Sequence, residues 1–249
     1  MWNEELGAFV VILSHGRPQN VKPMQDIVGN ATWVITKEEF TDYKNAGAKN
    51  CIDGGTPLVH ARNVAMNEAF KNDNDCIMLD DDMTNIYQIE IINGKNTKTP
   101  IKFQTAVKHM QNYLKETKFK LAGTSPLTNV FWYNMKNPIK FDVDFANFFY
   151  IKPNNVMFDE NLVQRHDHDF VLHHIVEHGG AISIQYIITQ FRWQQFNDGL
   201  NKFNKQIGGM NKSLEGQKRS YNYLKKKWGN KLRDHKTKKF YTVFNKGRK

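Results

Sequence analysis

The sequence is short of cysteine and has no long apolar segment. Its 249 residues include two cysteines, Cys51 and Cys76, each within or beside an apolar run. This is too few for a disulfide-rich scaffold, and we expect both to be reduced and buried in a cytoplasmic protein. No apolar run reaches the roughly 18 residues that span a bilayer, so no membrane partner is expected. The apolar run at 8–13 is too short, and lacks the basic flank, of a signal peptide.

Acidic residues are almost absent from the last fifth of the chain. Residues 202–249 contain 16 Lys and Arg against two acids, which gives this segment +14 of charge and leaves about −4 on residues 1–201. Aromatic residues are interleaved with these cations, as in the run 221–228. This composition favours contact with nucleic acid, and the alternative is a solvated, partly helical basic surface. We expect a catalytic-type domain over 1–201, with a basic extension over 202–249 packed on or beside it.

Strand and helix patterns alternate along the first half of the chain. Short β-branched or apolar runs predict strands at 9–13, 33–35, 51–52 and 76–79, and helical spacing predicts helices at 20–27, 36–47 and 58–70. In the second half we expect a hairpin or an excursion around Asn93-Gly94 at 89–99, a helix at 101–117, strands at 119–122, 145–151 and 181–189, and a helix within 162–178. This order predicts an α/β fold, a mostly parallel, Rossmann-like sheet flanked by helices, with a basic helical C-terminal extension.

Three adjacent carboxylates, Asp80, Asp81 and Asp82, follow the fourth predicted strand. Ligands of open α/β sheets bind where parallel strands end, so the triplet lies at the edge expected for a site. Adjacent carboxylates raise one another's pKa unless a cation lies between them. A divalent cation that bridges to a diphosphate would satisfy them, whereas the alternative is a solvated acidic turn.

Other polar groups are predicted to reach the same edge of the sheet. The first strand ends in a polar turn that contains Ser14 and Arg17, and the third leads into Asp53. Arg62 lies in the first turns of the following helix, a position that suits an anionic ligand. Farther along, Asp167 and Asp169 open another helix, and their i, i+2 spacing places them on different faces.

Together, in this order, these segments resemble the GT-A fold of nucleotide-sugar glycosyltransferases, from about residue 8 to residue 170. The resemblance rests on the loop after the first strand, the Ala61-Arg62-Asn63 helix start, the Leu79-Asp80-Asp81-Asp82 form of the DxD motif, and Asp167-x-Asp169-Phe170. In the last motif His166 replaces the usual acid. The opening Leu-Ser-His-Gly-Arg-Pro and the Tyr-Leu-Lys-Lys-Lys-Trp-Gly near the end look like the phage and TET-associated enzymes that glycosylate hydroxymethylated pyrimidines in DNA.

The resemblance implies a reaction and a set of roles. The activity would be transfer of a sugar from a UDP-sugar to hydroxymethylcytosine or hydroxymethyluracil in DNA, with Mn²⁺ or Mg²⁺ as the cofactor. The nucleotide-sugar site would contain Ser14, Arg17, Asp53, Arg62, Asp80 and Asp81. Asp82 would bind the metal, with Asp80 and His235 as further ligands. Asp167 would be the general base of an inverting displacement, with Asp169 as the second candidate.

Several alternatives stay open at this point. His235 is equally a phosphate contact or a solvated residue, and the glycines of Gly208-Gly209-Met210 suit either a lid or an ordinary turn. The histidines of the 166–178 segment permit a zinc site, although packing is the favoured interpretation because no His-Glu-x-x-His motif is present. The rival functions are a glycosyltransferase for a polysaccharide or lipid-linked glycan, and a non-catalytic nucleic-acid-binding protein.

Overall fold

The molecule is built on one large mixed sheet with helices on both faces. The structure, a computed structural model, describes residues 1–125, 129–134, 136–145, 148–162, 164–192 and 214–245. The strands within that part are β1 Trp2–Asn3, β2 Ala8–Leu13, β3 Thr32–Ile35, β4 Asn50–Asp53, β5 Asp75–Asp80, β6 Met83–Ile92, β7 Lys95–Pro100, β8 Leu121–Ser125, β9 Ile139–Lys140, β10 Phe148–Ile151, β11 Ile182–Phe191, β12 Leu232–Asp234 and β13 Thr242–Phe244.

Six α-helices lie in the described residues. They are α1 Val21–Val28, α2 Phe40–Asn45, α3 Leu58–Phe70, α4 Phe103–Lys115, α5 His166–His178 and α6 Leu214–Trp228. Short 3-10 turns at Pro18–Asn20 and Lys37–Glu39 precede α1 and α2. The second turn contains the capping box expected from the sequence, with Thr36 and Glu39 satisfying each other's backbone N–H groups. None of the helices described is long and apolar enough to cross a bilayer.

Strand order in the main sheet is β4-β3-β2-β5-β10-β8-β11-β6-β7. Strands β4, β3, β2 and β5 are parallel, and β8 is parallel to β11. The predicted α/β fold with a mainly parallel sheet flanked by helices is confirmed. The sequence did not reveal that β10 lies antiparallel between β5 and β8, because strand direction depends on long-range pairing. The predicted hairpin is present as β6 and β7, with Asn93 and Gly94 at φ 52° and 74°, as its tight turn requires.

Alternating residues of the sheet divide the core into two layers. In β2, Val10 and Ile12 face the layer that contains residues of α1, α2 and α4, whereas Val11 and Leu13 face the layer that contains residues of α3, α5 and α6. A strand buried on both faces is therefore apolar at nearly every position, which explains the continuous run 8–13. Because β4, β3, β2 and β5 are parallel, their carboxyl ends share one edge of the sheet.

The C-terminal extension contains more than helix. Helix α6 agrees with the predicted helical character, but β12 and β13 form a separate antiparallel hairpin that the sequence did not predict. Leu224, Leu232 and Phe244 belong to the second core layer, where they contact residues of the main sheet and its helices. The hairpin has no signature in the sequence because each of its strands has only three residues and no short turn motif joins them.

Candidate active site

The turn between β5 and β6 carries the three adjacent carboxylates. Asp80 is the last residue of β5, and Asp81 and Asp82 form the turn that precedes β6. The sheet register pairs Asp80 with Leu13, so that this turn lies beside the loop beginning at Ser14. The three carboxylates have different surroundings, and those differences determine what each can do.

Asp81 anchors the loop that follows β2. Its side chain is fully buried, with Oδ1 2.6 Å from the guanidinium of Arg17 and Oδ2 accepting a hydrogen bond from the hydroxyl of Ser14. The hydroxyl of Tyr43 lies 2.5 Å from Ser14 Oγ and accepts from the backbone N–H of Arg17 at 3.1 Å. Burial raises the pKa of Asp81 to about 6, although Arg17 lowers it. Ser14 and Asp81 thus hold the loop in place, while Arg17 keeps a quarter of its side chain exposed.

Asp80 pairs with the deeply buried Arg62. One guanidinium nitrogen, Nη2, lies 3.0 Å from Asp80 Oδ1, and only 2% of the Arg62 side chain is exposed. The rings of Phe149 and Phe158 lie 5.7 and 5.2 Å from the guanidinium carbon. The Nε and Nη1 atoms of Arg62 have no hydrogen-bond partner among the described residues. Arg62 therefore keeps buried donor capacity beside the acidic turn, which suits an anionic ligand.

Asp82 is the carboxylate best placed to accept a cation. Within the described part of the chain, no lysine, arginine or histidine lies within salt-bridge distance of it. Burial, together with the charges of Asp80 and Asp81, raises the pKa of Asp82 to about 7, against the opposing effect of Arg17. A positive charge bound here would stabilise the ionised carboxylate and so oppose that shift. The turn itself is held because the backbone N–H of Arg192 donates to the carbonyl oxygen of Asp82 at 2.8 Å.

The donor set fits a metal that takes few protein ligands. In the residues the structure describes, no group of three or more His, Cys, Asp or Glu side chains could hold a metal ion. Of the predicted ligands, Asp80 is engaged with Arg62, and His235 accepts hydrogen bonds at Nδ1 from the N–H groups of Thr237 and Lys238. Mg²⁺ and similar ions are commonly held by one or two carboxylates with phosphate oxygens and water. Asp82 fits that pattern, and the predicted three-residue ligand set is not assembled.

Asp167 lies at the start of α5, close enough to the acidic turn for the two to interact. Its Oδ1 accepts from the backbone N–H of His168 at 2.9 Å. Burial alone would raise the pKa of Asp167, but His166, Arg62 and the N–H of His168 outweigh it, and the pKa falls below its ordinary value. The charge of Asp167 in turn raises the pKa of Asp80. Asp80 therefore contacts Arg62, and Asp167 lies within range of the charge of the same arginine.

Asp169 faces the opposite way, as its spacing from Asp167 predicted. It is fully buried, and its two oxygens accept from Trp228 Nε1 at 2.6 Å and from Lys227 Nζ at 2.9 Å. Both partners lie at the end of α6. A carboxylate with both oxygens engaged and no exposure has no path to a substrate, so Asp169 holds α6 against α5.

Asp53 lies at the same edge of the sheet but apart from the carboxylates. It ends β4, and its Oδ1 accepts from the backbone N–H of Gly55 at 3.0 Å. Between these residues, Gly54 allows β4 to approach α3, because a Cβ there would lie 2.6 Å from Val34 Cγ1 and 3.0 Å from Ala61 Cβ. Asp53 remains an exposed acid at the rim of the candidate site.

Comparisons of the whole chain give only distant similarities. The fold resembles S. aureus TarS at 12% identity, covering 89% of this chain and 72% of that one, with a TM-score of 0.45. It also resembles the 4-diphosphocytidyl-2C-methyl-D-erythritol synthase of Anaerococcus prevotii at 11% identity, covering 88% and 84% of the two chains, with a TM-score of 0.32. No family model and no curated protein matches the sequence. At this level of similarity, these matches say nothing about what the chain binds or acts on.

Two residues make contacts in the site that the sequence did not predict. Glu39 accepts from the backbone N–H of Gly16 and lies 3.1 Å from His15, which ties the first loop to the capping box of α2. Asn63 donates to the carbonyl oxygen of Phe158 and accepts from its N–H, both at 2.9 Å. The capping-box motif indicated the role of Glu39 in α2 but not its contact with the first loop, and no local pattern predicts the contact of Asn63 with a residue 95 positions away.

The histidines of α5 pack against neighbouring groups, and within the described residues they do not gather into a metal site. His174 is fully buried, its Nδ1 lies 2.9 Å from the carbonyl oxygen of Phe170, and burial lowers its pKa to about 3. His168 lies 2.7 Å from Asp144 and stacks on Phe244 at 4.4 Å. These contacts support the packing interpretation over a zinc site. The segment Gly208-Gly209-Met210, for which a lid and an ordinary turn were both open, lies outside the described residues.

Proposed function

We propose that this chain is a metal-dependent, inverting glycosyltransferase that moves a sugar from a UDP-sugar to the hydroxymethyl group of 5-hydroxymethylcytosine or 5-hydroxymethyluracil in DNA. The observation that carries the proposal is the meeting of the Asp80–Asp82 turn and Asp167 at Arg62. A glycosyltransferase needs a cationic environment for a departing diphosphate and a separate base for the acceptor hydroxyl, and these residues supply both.

The donor half would consist of Asp82, Arg62 and Arg17. Arg62 has two guanidinium nitrogens without partners and Arg17 is partly exposed, so both have donors to offer phosphate oxygens. A divalent cation held by Asp82, Mn²⁺ or Mg²⁺, would neutralise charge on the departing diphosphate. Asp80 keeps Arg62 oriented, and Asp81 with Ser14 keeps the loop of Arg17 in place. Asp53 would be a rim contact to the donor.

The acceptor half would consist of Asp167. Because its pKa lies below the ordinary value, this carboxylate is ionised at neutral pH and can accept the proton of an acceptor hydroxyl. The oxygen so activated would displace UDP from the anomeric carbon in one step, forming the new C–O bond as the C–O bond to UDP breaks. A single displacement inverts the anomeric centre, so an α-linked donor would yield a β-glycoside.

The DNA acceptor is supported by charge. The +14 of residues 202–249 would attract a polyanion, and a neutral polysaccharide gives no reason for such a concentration. The protein would then act inside a cell that contains modified DNA, as phage-encoded enzymes do within a bacterial cytoplasm.

The test is a screen of UDP-sugars with Mn²⁺ against DNA that contains either modified base, followed by mass spectrometry of the nucleosides. We expect the mass of one sugar to be added to the modified nucleoside, with UDP released. Asp82→Asn and Asp167→Asn should each lower the rate by at least about 100-fold. Asp73→Asn is the matched control, because Asp73 is exposed near the opposite end of β5 and its φ of 55° suits asparagine.

The outcomes separate the rival functions. Release of UDP that requires Asp82, but without transfer to any DNA, would point to a polysaccharide or lipid-linked glycan as acceptor. DNA binding without UDP release from any donor would contradict the enzymatic proposal and favour a non-catalytic DNA-binding protein.

A further inference from the structure

The β12–β13 hairpin lies directly against the start of α5. Arg165 Nη2 donates to the carbonyl oxygen of Thr242 at 3.0 Å, and the guanidinium of Arg165 stacks over the ring of Tyr241 at 3.8 Å. The hydroxyl of Thr242 lies 3.4 Å from Nε2 of the buried His168. Arg165 and His168 flank Asp167 in sequence. The hairpin therefore contacts residues on both sides of Asp167, the proposed general base.

Tyr241, in the loop of the hairpin, is close enough to Asp167 for the charge of that carboxylate to affect its pKa. It is half-buried, and burial raises its pKa, Arg165 lowers it, and the charges of Asp144 and Asp167 raise it again. Arg165 is itself held in the left-handed region, with φ 63°, immediately before α5. A non-glycine residue in that conformation is sparsely populated and persists where surrounding contacts enforce it. The Arg165–Tyr241 stack therefore has its conformation set by its surroundings and lies beside Asp167.

The loop of the hairpin is ordered by its own hydrogen bonds. The N–H of His235 donates to the carbonyl oxygen of Tyr241 at 2.8 Å, and His235 Nδ1 accepts from the N–H groups of Thr237 and Lys238. His235 thus shapes this loop. A loop that is already shaped loses less conformational entropy when it binds a partner.

Three lysines project from this loop without acidic partners. Lys236, Lys238 and Lys239 are exposed, and no carboxylate of the described residues lies within salt-bridge distance of them. In contrast, Lys225 pairs with Asp234, and Lys227 pairs with two buried or half-buried carboxylates. The three loop lysines therefore keep their charge available to a partner.

We infer that the β12–β13 hairpin is the element that binds the acceptor. Lys236, Lys238 and Lys239 bind phosphates of a nucleic acid strand, and the Arg165–Tyr241 stack receives the nucleobase whose hydroxymethyl group reacts at Asp167. This rests on the proposed function for the identity of the reaction, but the binding claim stands separately. Lysines beside aromatic rings suit a strand with phosphates and π-faces, and here Lys238 lies 5.0 Å from the ring of Tyr241.

Two variants with equal loss of charge test the phosphate contacts. The first is Lys236→Ala/Lys238→Ala/Lys239→Ala. The second, its control, is Lys218→Ala/Arg219→Ala/Lys226→Ala, which removes three exposed charges of α6 that form no ion pair with the described residues. DNA affinity is measured as a function of salt for both, alongside UDP-sugar hydrolysis without DNA and urea unfolding.

For the hairpin variant we expect the slope of log affinity against log salt to fall by about 2 to 3, since each lost phosphate contact removes about 0.7 to 0.9. Affinity at low salt should fall at least about tenfold, with hydrolysis and unfolding unchanged. The α6 variant should keep the wild-type slope. Equal slope changes in both variants would overturn the inference, because the number of charges lost, and not their position, would then determine the salt dependence of binding. So would an unchanged hairpin variant, or one that loses binding to anionic phospholipid vesicles instead of DNA.

Tyr241→Ala and Tyr241→Phe test the base-stacking surface. Loss of one base stack typically weakens binding by about 5-fold to 100-fold or more. We therefore expect Tyr241→Ala to raise KM for modified DNA by at least about fivefold without changing UDP-sugar hydrolysis, and Tyr241→Phe to behave like wild type. An equal KM for all three proteins would contradict the role of the ring. If the wild type transfers no sugar, the proposed function fails, while the salt dependence of the two triple variants still decides whether the hairpin binds DNA.

Discussion

Arg62 is the residue on which both halves of the candidate site depend. It is an arginine buried between two phenylalanine rings, and such a charge is stable only when it is paired. Its partner, Asp80, belongs to the acidic turn, and its charge also lowers the pKa of Asp167. The ion pair is therefore both a structural contact and the electrostatic link between donor and acceptor carboxylates.

A double-mutant cycle at residue scale tests this pairing. Arg62→Ala should lower the free energy of unfolding by about 3 kcal/mol, because it leaves Asp80 without its nearest cation. Asp80→Ala should also destabilise the protein, and the double variant should lose less than the sum, with a coupling of about 1 to 3 kcal/mol. Urea unfolding at neutral pH provides the measurement.

The exposed pair Lys22 and Asp26, one turn apart on α1, serves as the control for that cycle. Its coupling should not exceed about 0.5 kcal/mol, the usual value for solvent-exposed helical pairs. Additive effects of Arg62→Ala and Asp80→Ala would show that the two residues do not support each other.

At the scale of elements, ion pairs and hydrogen bonds hold α6 against α5 and against the segment that precedes α5. Lys227 Nζ lies 2.7 Å from Asp159 and 2.9 Å from Asp169, and Tyr223 donates to Asp159 at 2.8 Å. Burial would raise the pKa of Asp159, but hydrogen bonds from Lys227, Asn161 and Tyr223 lower it to about 2. The contact between these elements should therefore depend on the ionisation of Asp159.

Asp159→Asn should reveal this dependence in a series of urea unfolding curves from pH 7 to pH 3. A folded pKa of about 2, below the ordinary 3.8, means that the stabilisation is complete above about pH 5 and disappears as the pH falls towards 2. The wild type should exceed the variant by about 1 kcal/mol at pH 7, a value discounted for solvent screening. That difference should shrink as the solution is acidified.

Asp42→Asn provides the comparison for this series, because Asp42 is exposed and forms no ion pair with any described residue. Its stability should stay within about 0.5 kcal/mol of the wild type. A difference between wild type and Asp159→Asn that is constant from pH 7 to pH 3 would contradict the ionic fastening of α6.

At the scale of the molecule, residues 214–245 share the core of the α/β sheet. Leu224 is fully buried in the layer that also contains Ala65 of α3 and Phe170 of α5. Removing this segment would therefore expose apolar surface of the main core as well as remove positive charge. Substitutions that remove charge alone, such as those at the hairpin, separate binding from folding more cleanly than truncation does.

Leu224→Ala should consequently destabilise the whole protein by about 3 kcal/mol, the usual effect of emptying a buried leucine site. Far-UV circular dichroism during urea unfolding should show one transition at a lower midpoint. Leu214→Ala, on the same helix but 65% exposed, should change stability by less than about 0.5 kcal/mol. A main transition that stays at the wild-type midpoint in Leu224→Ala would mean that α6 unfolds as an independent appendage.

The sequence by itself determined the order of most helices and strands up to α5 and the position of the acidic turn. Helix α3 was predicted with its bounds, and the turn of the β6–β7 hairpin was predicted from Asn93 and Gly94. These features follow from local physics, since periodic burial, capping and turn geometry involve residues a few positions apart. The same locality placed Asp167 and Asp169 on different faces of α5.

The tertiary structure alone decided which carboxylates are engaged and which are available. Asp80 pairs with an arginine 18 residues away, and Asp169 with a lysine 58 residues away, so no local pattern could indicate that Asp82 and Asp167 keep capacity for a ligand. It also placed the β12–β13 hairpin beside Asp167. The partner of a charged group is set by the whole fold because electrostatic and desolvation energies depend on distance and burial, which the order of residues does not specify.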